Sequence, residues 1–186
     1  MLGQRSNVNL RFALKRVGAY VVDILLLFVI LASAATLIEQ WLRISPHTPR
    51  QVWMATVLSF SIPVWLYFTL ADHSPSGATI GKRVFRLRVL RLPGSRLSLL
   101  RSFARTALKL LPWELAHLFG FALAAEIGAA LQAAGLIAAN ALVVIYLAVL
   151  LATSGRQSVH DLLVHTEVVS TVTLSGATNP MNDRAA

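Results

Sequence analysis

The sequence predicts an α-helical polytopic membrane protein. About four transmembrane or intramembrane helices are expected, with an interfacial amphipathic helix and a small cytoplasmic β-hairpin or sheet. Three observations carry this. Hydrophobic residues make up 56% of the 186 positions, and the mean hydropathy is +0.65. Charged residues make up only 13%, against roughly 25% in soluble domains. Apolar runs of about 20 residues, the length that crosses a bilayer core, recur along the chain. The length suits one unit, placed at 11–170, with flexible tails at 1–10 and 175–186. Cysteine is absent, which excludes a disulfide framework and thiolate chemistry.

The first helix is expected at 17–38. Arg5, Arg11, Lys15 and Arg16 precede it, and Ala32-Ser33-Ala34 imitates a cleavage site. A signal-peptide core runs only about 7–15 residues, so this longer run reads as a retained span. The second, at 52–71, carries Trp53, Trp65 and Tyr67 near its ends and Pro63 as a kink. A third is weaker, at 108–125. Pro112 suits a helical first turn, and Glu114 and His117 lie just inside it. It reads as a short span, a tilted one or a re-entrant segment. The fourth is expected at 135–153.

Basic residues orient these spans. Four precede the first, Arg43 and Arg50 separate the first two, nine lie from Lys82 to Lys109, and none lies from 110 to 153. Both termini and the central loop are therefore expected in the cytoplasm, with the spans in a bacterial plasma (inner) membrane. The net charge of +9 belongs to topology on this reading, not to a nucleic-acid partner.

The central segment 77–107 changes period along its length. From 84 to 91, Phe85, Leu87 and Val89 fall on one face and Arg86 and Arg88 on the other, as in a half-buried strand. Pro93-Gly94 marks a turn. Residues 96–98 or the β-branched stretch 166–174 would supply a partner strand. Beyond the turn, Arg101, Arg105 and Lys109 recur every four residues, opposite Leu100, Phe103, Ala104, Ala107 and Leu108. That pattern predicts a helix lying at the interface with its cations toward anionic lipid headgroups; an ordinary solvated face is the alternative. GATIGK at 77–82 is not a phosphate loop, because three residues separate its glycines and Arg83 follows the lysine. Its glycines are expected to permit a tight turn.

Asp23 sits in an apolar helix, where a carboxylate costs about 2.5–3.5 kcal/mol at the bilayer centre. It is expected to be protonated, to bind a cation, or to pair with a basic group. Intramembrane carboxylates often mark ion pathways; a structural hydrogen bond is the alternative. Arg16 lies about two turns earlier, roughly 10 Å along the axis, on the same face but out of contact. Asp161 falls near the cytoplasmic boundary, so Arg16 and Asp161 would pair and tie the first helix to the last. Glu114 and His117, three apart, would line a polar cavity, with His117 titrating near neutral pH, or satisfy each other. One Glu-x-x-His copy does not make a dinuclear site, and no four-ligand set is visible. No metal or cofactor is expected. No nucleophile–base constellation is visible either, so the chain reads as a non-enzyme. His160 and His165 read as boundary residues.

Arg16 ahead of Asp23, GATIGKRVFRLRVLRLPG after the second span and RQSVHDLLVHTEVV after the last together resemble the RDD family of bacterial membrane proteins. The family is named for one arginine and two aspartates, and the resemblance covers 11–169. It implies that Arg16, Asp23 and Asp161 are the naming residues, with Thr79, Gly81, Lys82, Val89 and Thr166 also in the pattern. Glu114, His117 and an Ala-rich link between the last two apolar segments depart from it. It further implies transport of unidentified ligands, with cation/proton antiport in some members. The leading expectation is a small transporter or ion-coupled carrier, acting as a homo-oligomer on an unknown ligand or cation. Asp23, Glu114 and His117 would lie along its pathway. The rival is a non-transporting membrane module. There Arg86, Arg88, Arg91, Arg96, Arg101 and Arg105 would recruit a protein partner or anionic lipid.

Overall fold

The computed structural model describes residues 2–43, 45–92, 94–124 and 126–171, with side chains from Leu10 onward. Helix α1 (Leu2–Leu42) is followed by α2 (Pro49–Thr56), which passes through a π turn (Val57–Ser61) into α3 (Ile62–His73). Short α4 (Ile80–Val84) leads to β1 (Leu87–Arg91). Helix α5 (Leu99–His117) ends in a second π turn (Leu118–Ala122). Helix α6 (Ala129–Ala152), short α7 (Val159–Leu163) and β2 (Thr166–Ser170) complete the order.

Three stretches are long and apolar enough to cross a membrane: Leu10–Leu42, Pro49–His73 and Ala129–Ala152. Their large side chains mostly face outward; Leu25, Val29, Leu37, Leu66, Ile137 and Val144 are all exposed. In water such a surface would aggregate, whereas in lipid it is the solvated face. The expected span at 108–125 is not among the three. It is the second half of α5 with its π turn, and Ala125 lies outside the described residues. One helix joins Arg101, Arg105 and Lys109 to the apolar run, and these charges lower its hydropathy.

Two prolines shape the long helices. Pro63 has no N–H for the carbonyl four residues back, and the ladder widens to a π turn just before it. Pro112 lies inside α5 and not in a first turn as expected. The Leu108 carbonyl it leaves unpaired accepts instead from the Tyr146 hydroxyl of α6 at 2.7 Å. That bond joins α5 to α6 at the break. Helix α1 begins at Leu2, so helix occupies the segment read as an N-terminal tail. The tail at 175–186 lies outside the described residues.

A small αβ unit caps one end of the bundle. β1 and β2 pair antiparallel, from Leu87 opposite Ser170 to Arg91 opposite Thr166. Leu87, Val89 and Val168 turn inward with Leu97 onto Ala19 of α1. The hairpin alternative fails. Ser95 makes only an isolated bridge to Arg91, and Arg96 Nε donates to the His73 carbonyl at 2.9 Å, which holds 96 against the end of α3 instead. Pro93 and residues 172–174 lie outside the described residues. The strand also starts later than 84, because Thr79 accepts from Lys82 N–H and caps α4 ahead of it.

The two glycines of GATIGK do different things. Gly77 adopts φ +57°, and its carbonyl accepts from Val89 N–H at 2.7 Å, so it makes the expected turn. Gly81 sits within α4 against α1. A Cβ there would strike the Ala19 carbonyl and the Asp23 carboxyl carbon. Close approach, not turning, fixes that position.

Candidate functional site

Asp23 is 1% exposed and its carboxylate is filled by neutral donors. The Tyr67 hydroxyl donates to Oδ1 at 2.6 Å and Gly81 N–H to the same oxygen at 2.7 Å. The Thr79 hydroxyl donates to Oδ2 at 2.6 Å. Tyr67 in turn accepts from Ile80 N–H at 2.9 Å, and Thr79 from Lys82 N–H at 3.2 Å. Asp23 thus ties α1 to α3 and to the first turn of α4. Charge-assisted hydrogen bonds of this length offset the cost of burying the carboxylate. No basic side chain pairs with Asp23 among the described residues. Of the four readings open from the sequence, the geometry matches the structural hydrogen bond.

Deeper in the αβ end, cations and carboxylates alternate. Lys82 of α4 pairs with Asp72 Oδ1, and Arg105 Nη1 of α5 pairs with Asp72 Oδ2. The same guanidinium reaches Asp161 of α7, with Nε at 2.9 Å and Nη2 at 2.8 Å. Arg16 of α1 donates through Nη2 to Asp161 Oδ2 at 2.7 Å, and through Nη1 to the Gly155 carbonyl at 3.0 Å. Ser158 N–H and the Thr166 hydroxyl complete the shell of Asp161, at 3.0 and 3.1 Å. The planar guanidinium fork is what lets Arg105 serve two carboxylates at once. Five elements meet through this chain: α4, α3, α5, α7 and α1.

Burial alone would raise the Asp161 carboxyl. Arg105, His160 and Arg16 outweigh it and hold the group well below the usual carboxylate range. Burial pushes the His160 imidazole well below its ordinary value, against the pull of Asp161. His160 Nε2 stands 3.4 Å from Asp161 Oδ2. Burial likewise lowers Lys82, with Asp72 opposing.

Next to the network lies a cavity of about 400 Å³, bounded by α1, α5, α6 and α7. Arg16, Asp23, Lys82, Arg105 and Lys109 reach it. Its remaining wall is largely apolar, with Val17, Trp113, Val143 and Leu147.

Residues 10–165 match the RDD family. The chain belongs to the RDD family. No curated protein and no solved structure matches it, so the match carries the family alone. In this RDD chain the three residues that the resemblance singles out fall at two places. Arg16 and Asp161 are brought into contact, while Asp23 lies apart with Thr79 and Gly81. Val89 packs in the sheet core and Thr166 serves Asp161.

Two expected groupings need correction. The basic stripe of α5 does not face lipid headgroups. Arg105 is 1% exposed, Ser102 and Thr106 beside it are buried, and Leu99, Leu100, Phe103 and Leu111 take the exposed side. Lys109 Nζ stands over the Phe68 ring at 3.2 Å and the Tyr20 ring at 4.7 Å. Arg101 donates to the Val164 carbonyl at 3.1 Å. The helix is amphipathic with its polar face inward, where Arg105 meets Asp72 and Asp161. Nor do Glu114 and His117 share a polar cavity. Glu114 turns to α3, accepting from the Ser61 hydroxyl at 3.1 Å and Trp65 N–H at 2.9 Å. His117 Nδ1 lies 2.8 Å from the Trp113 carbonyl one turn back, and its ring packs between Trp113 and Phe121.

The sequence pattern singles out neither Asp72 nor the hydroxyl of Tyr67. Asp72 closes an apolar run as a lone carboxylate, with no basic residue one turn away in either direction. That isolation is the signal available from sequence, and it marks a residue whose partner lies far along the chain.

Proposed function

We propose that this RDD protein is a small membrane carrier that holds its solute in the cavity between α1, α5 and α6. The observation that supports it most is the cavity itself: a space of about 400 Å³ reached by Arg16, Lys82, Arg105 and Lys109, inside a bundle whose outer surface is apolar. Ionisable groups in such a place usually mark a solute path, and the volume falls in the roughly 300–1,000 Å³ range of ligand sites. The charge of the lining favours an anionic or polar solute over a metal cation, and Asp23 has its oxygens occupied. On this reading Asp23 holds α4 in place, and Glu114 and His117 contribute to packing.

The chain crosses the bacterial plasma membrane four times, with both ends cytoplasmic. Pairing of β1 with β2 supports this count. It puts the chain before α5 and the chain after α6 on one side, so α5 has to cross if α6 does. The 19 residues of α5 and five of its π turn reach about 36 Å at 1.5 Å per residue. The hydrocarbon core is about 30 Å thick. Four helices are few for alternating access, so the carrier works as a homo-oligomer.

The test is solute-driven current across a solid-supported membrane coated with vesicles that contain the full chain. A panel of small organic anions, sodium and potassium is offered in turn. Current with at least one anion, absent from protein-free vesicles, is expected. Current with sodium or potassium alone would restore cation exchange as the activity, and none with any solute would overturn the carrier.

A second reading keeps one observation in its favour. Arg83, Arg86, Arg91 and Arg96 are exposed around the αβ end, where they suit contact with anionic headgroups. Arg101 and Arg105 do not belong to that surface.

A further inference from the structure

Lys109 is the cation that the network leaves over. Among the described residues Arg16, Lys82 and Arg105 each hold a carboxylate, whereas Lys109 forms no ion pair. Its ammonium rests on the faces of Phe68 and Tyr20. Aromatic faces attract the charge but accept none of its three N–H donors in the way a carboxylate or phosphate oxygen does. Around the cavity and the network beside it stand four basic side chains, Arg16, Lys82, Arg105 and Lys109, and three carboxyl groups, Asp23, Asp72 and Asp161. Lys109 lines the same cavity as the apolar side chains Val17, Trp113, Val143 and Leu147. Charged side chains beside a largely hydrocarbon wall describe the complement of an amphiphile.

We infer that the cavity takes an amphipathic anion, with a carboxylate or phosphate head on Lys109 and an apolar body against α1, α5 and α6. This rests on the carrier reading only for the cavity being a solute site. The head can belong to a membrane lipid or to a free organic acid, and both present the same chemistry to Lys109. A cation of similar size meets a like charge, and a neutral alcohol offers an acceptor oxygen but no counter-charge.

Trp113 in the cavity wall provides the readout. The full chain is placed in nanodiscs of neutral phosphatidylcholine and titrated with ω-bromodecanoate, whose bromine quenches a touching indole. Saturable quenching is expected, and the change is lost in Trp113→Phe. ω-Bromodecanol should bind at least about tenfold more weakly, and Lys109→Met should weaken the acid by about tenfold without changing the alcohol, a factor that corresponds to about 1.4 kcal/mol. Lys109→Arg keeps the charge and should keep the binding. Equal quenching by acid and alcohol in the wild type overturns the inference, and that comparison needs no variant to fold. A Lys109→Met protein that melts normally and binds the acid as the wild type does overturns it as well. Nanodiscs doped with phosphatidic acid separate the two sources. Loss of decanoate quenching identifies a lipid head, and retention identifies a free acid; either supports the inference. Charge-selective binding without solute-driven current would leave the inference standing and remove the carrier. Current that is indifferent to solute charge would do the reverse.

Discussion

A carboxylate inside an apolar bundle persists when its oxygens are filled, and Asp23 reaches that state without a cation. Two hydroxyls and one backbone N–H are its donors. Asparagine at this position keeps the shape but turns one acceptor into a donor. Its amide nitrogen would then face either the Thr79 hydroxyl or Gly81 N–H, and at least one buried donor loses its acceptor. Asp23→Asn should therefore destabilise the protein by about 1–3 kcal/mol, seen as a lower melting temperature in detergent. The contrary outcome is informative: a lone, desolvated carboxylate would be relieved by the change, so a higher melting temperature would return Asp23 to an ion pathway. The apolar context makes Asp23 conspicuous in the sequence. Its donors come from 44 to 58 positions away, a distance no local spacing rule spans. Asp72 is subject to the same limit, since its partners lie 10 and 33 positions off.

Helix α5 shows what periodicity can and cannot deliver. The four-residue spacing of Arg101, Arg105 and Lys109 did mark an amphipathic helix. Periodicity has no sign, however, and which face is inside depends on whether water or lipid surrounds the helix. Deciding that requires the partners, here Asp72 and Asp161 on other elements. The strand pairing was legible for the opposite reason. β-Branched residues at 166–170 and alternation at 87–91 are local signals, and both survive in the observed register. Pro112 carries an element-scale prediction. The Leu108 carbonyl is paired by Tyr146 only because residue 112 has no N–H. Tyr146→Phe should cost about 1–3 kcal/mol by leaving that carbonyl unpaired. In a Pro112→Ala background the new N–H can take the carbonyl, so the same substitution should cost distinctly less. A double-mutant cycle on chemical denaturation measures the coupling. Equal costs in the two backgrounds would show that the hydroxyl supports the helix pair in some other way.

Over the whole molecule, polarity is arranged inside out. Exposed leucines, isoleucines and valines cover the helices, while the alternating charges close on one another at the αβ end. Such a molecule holds together around its ion pairs, because lipid offers its apolar faces no reason to turn inward. The αβ cap follows from this arrangement: α4 and α7 carry Lys82 and Asp161 into the network, and β1–β2 locks the segment before α5 to the segment after α6. Sidedness is therefore the property by which the whole arrangement is tested. The chain contains no cysteine, so single cysteines report position without background. With an impermeant maleimide added outside intact cells, His47→Cys and Glu126→Cys should be labelled. Ser95→Cys and Thr171→Cys should react only after the membrane is opened. Labelling of Ser95→Cys and Glu126→Cys from the same side would mean that α5 does not cross. Given that β1 and β2 pair, α6 could not then cross alone, and the fourfold count would fall to two.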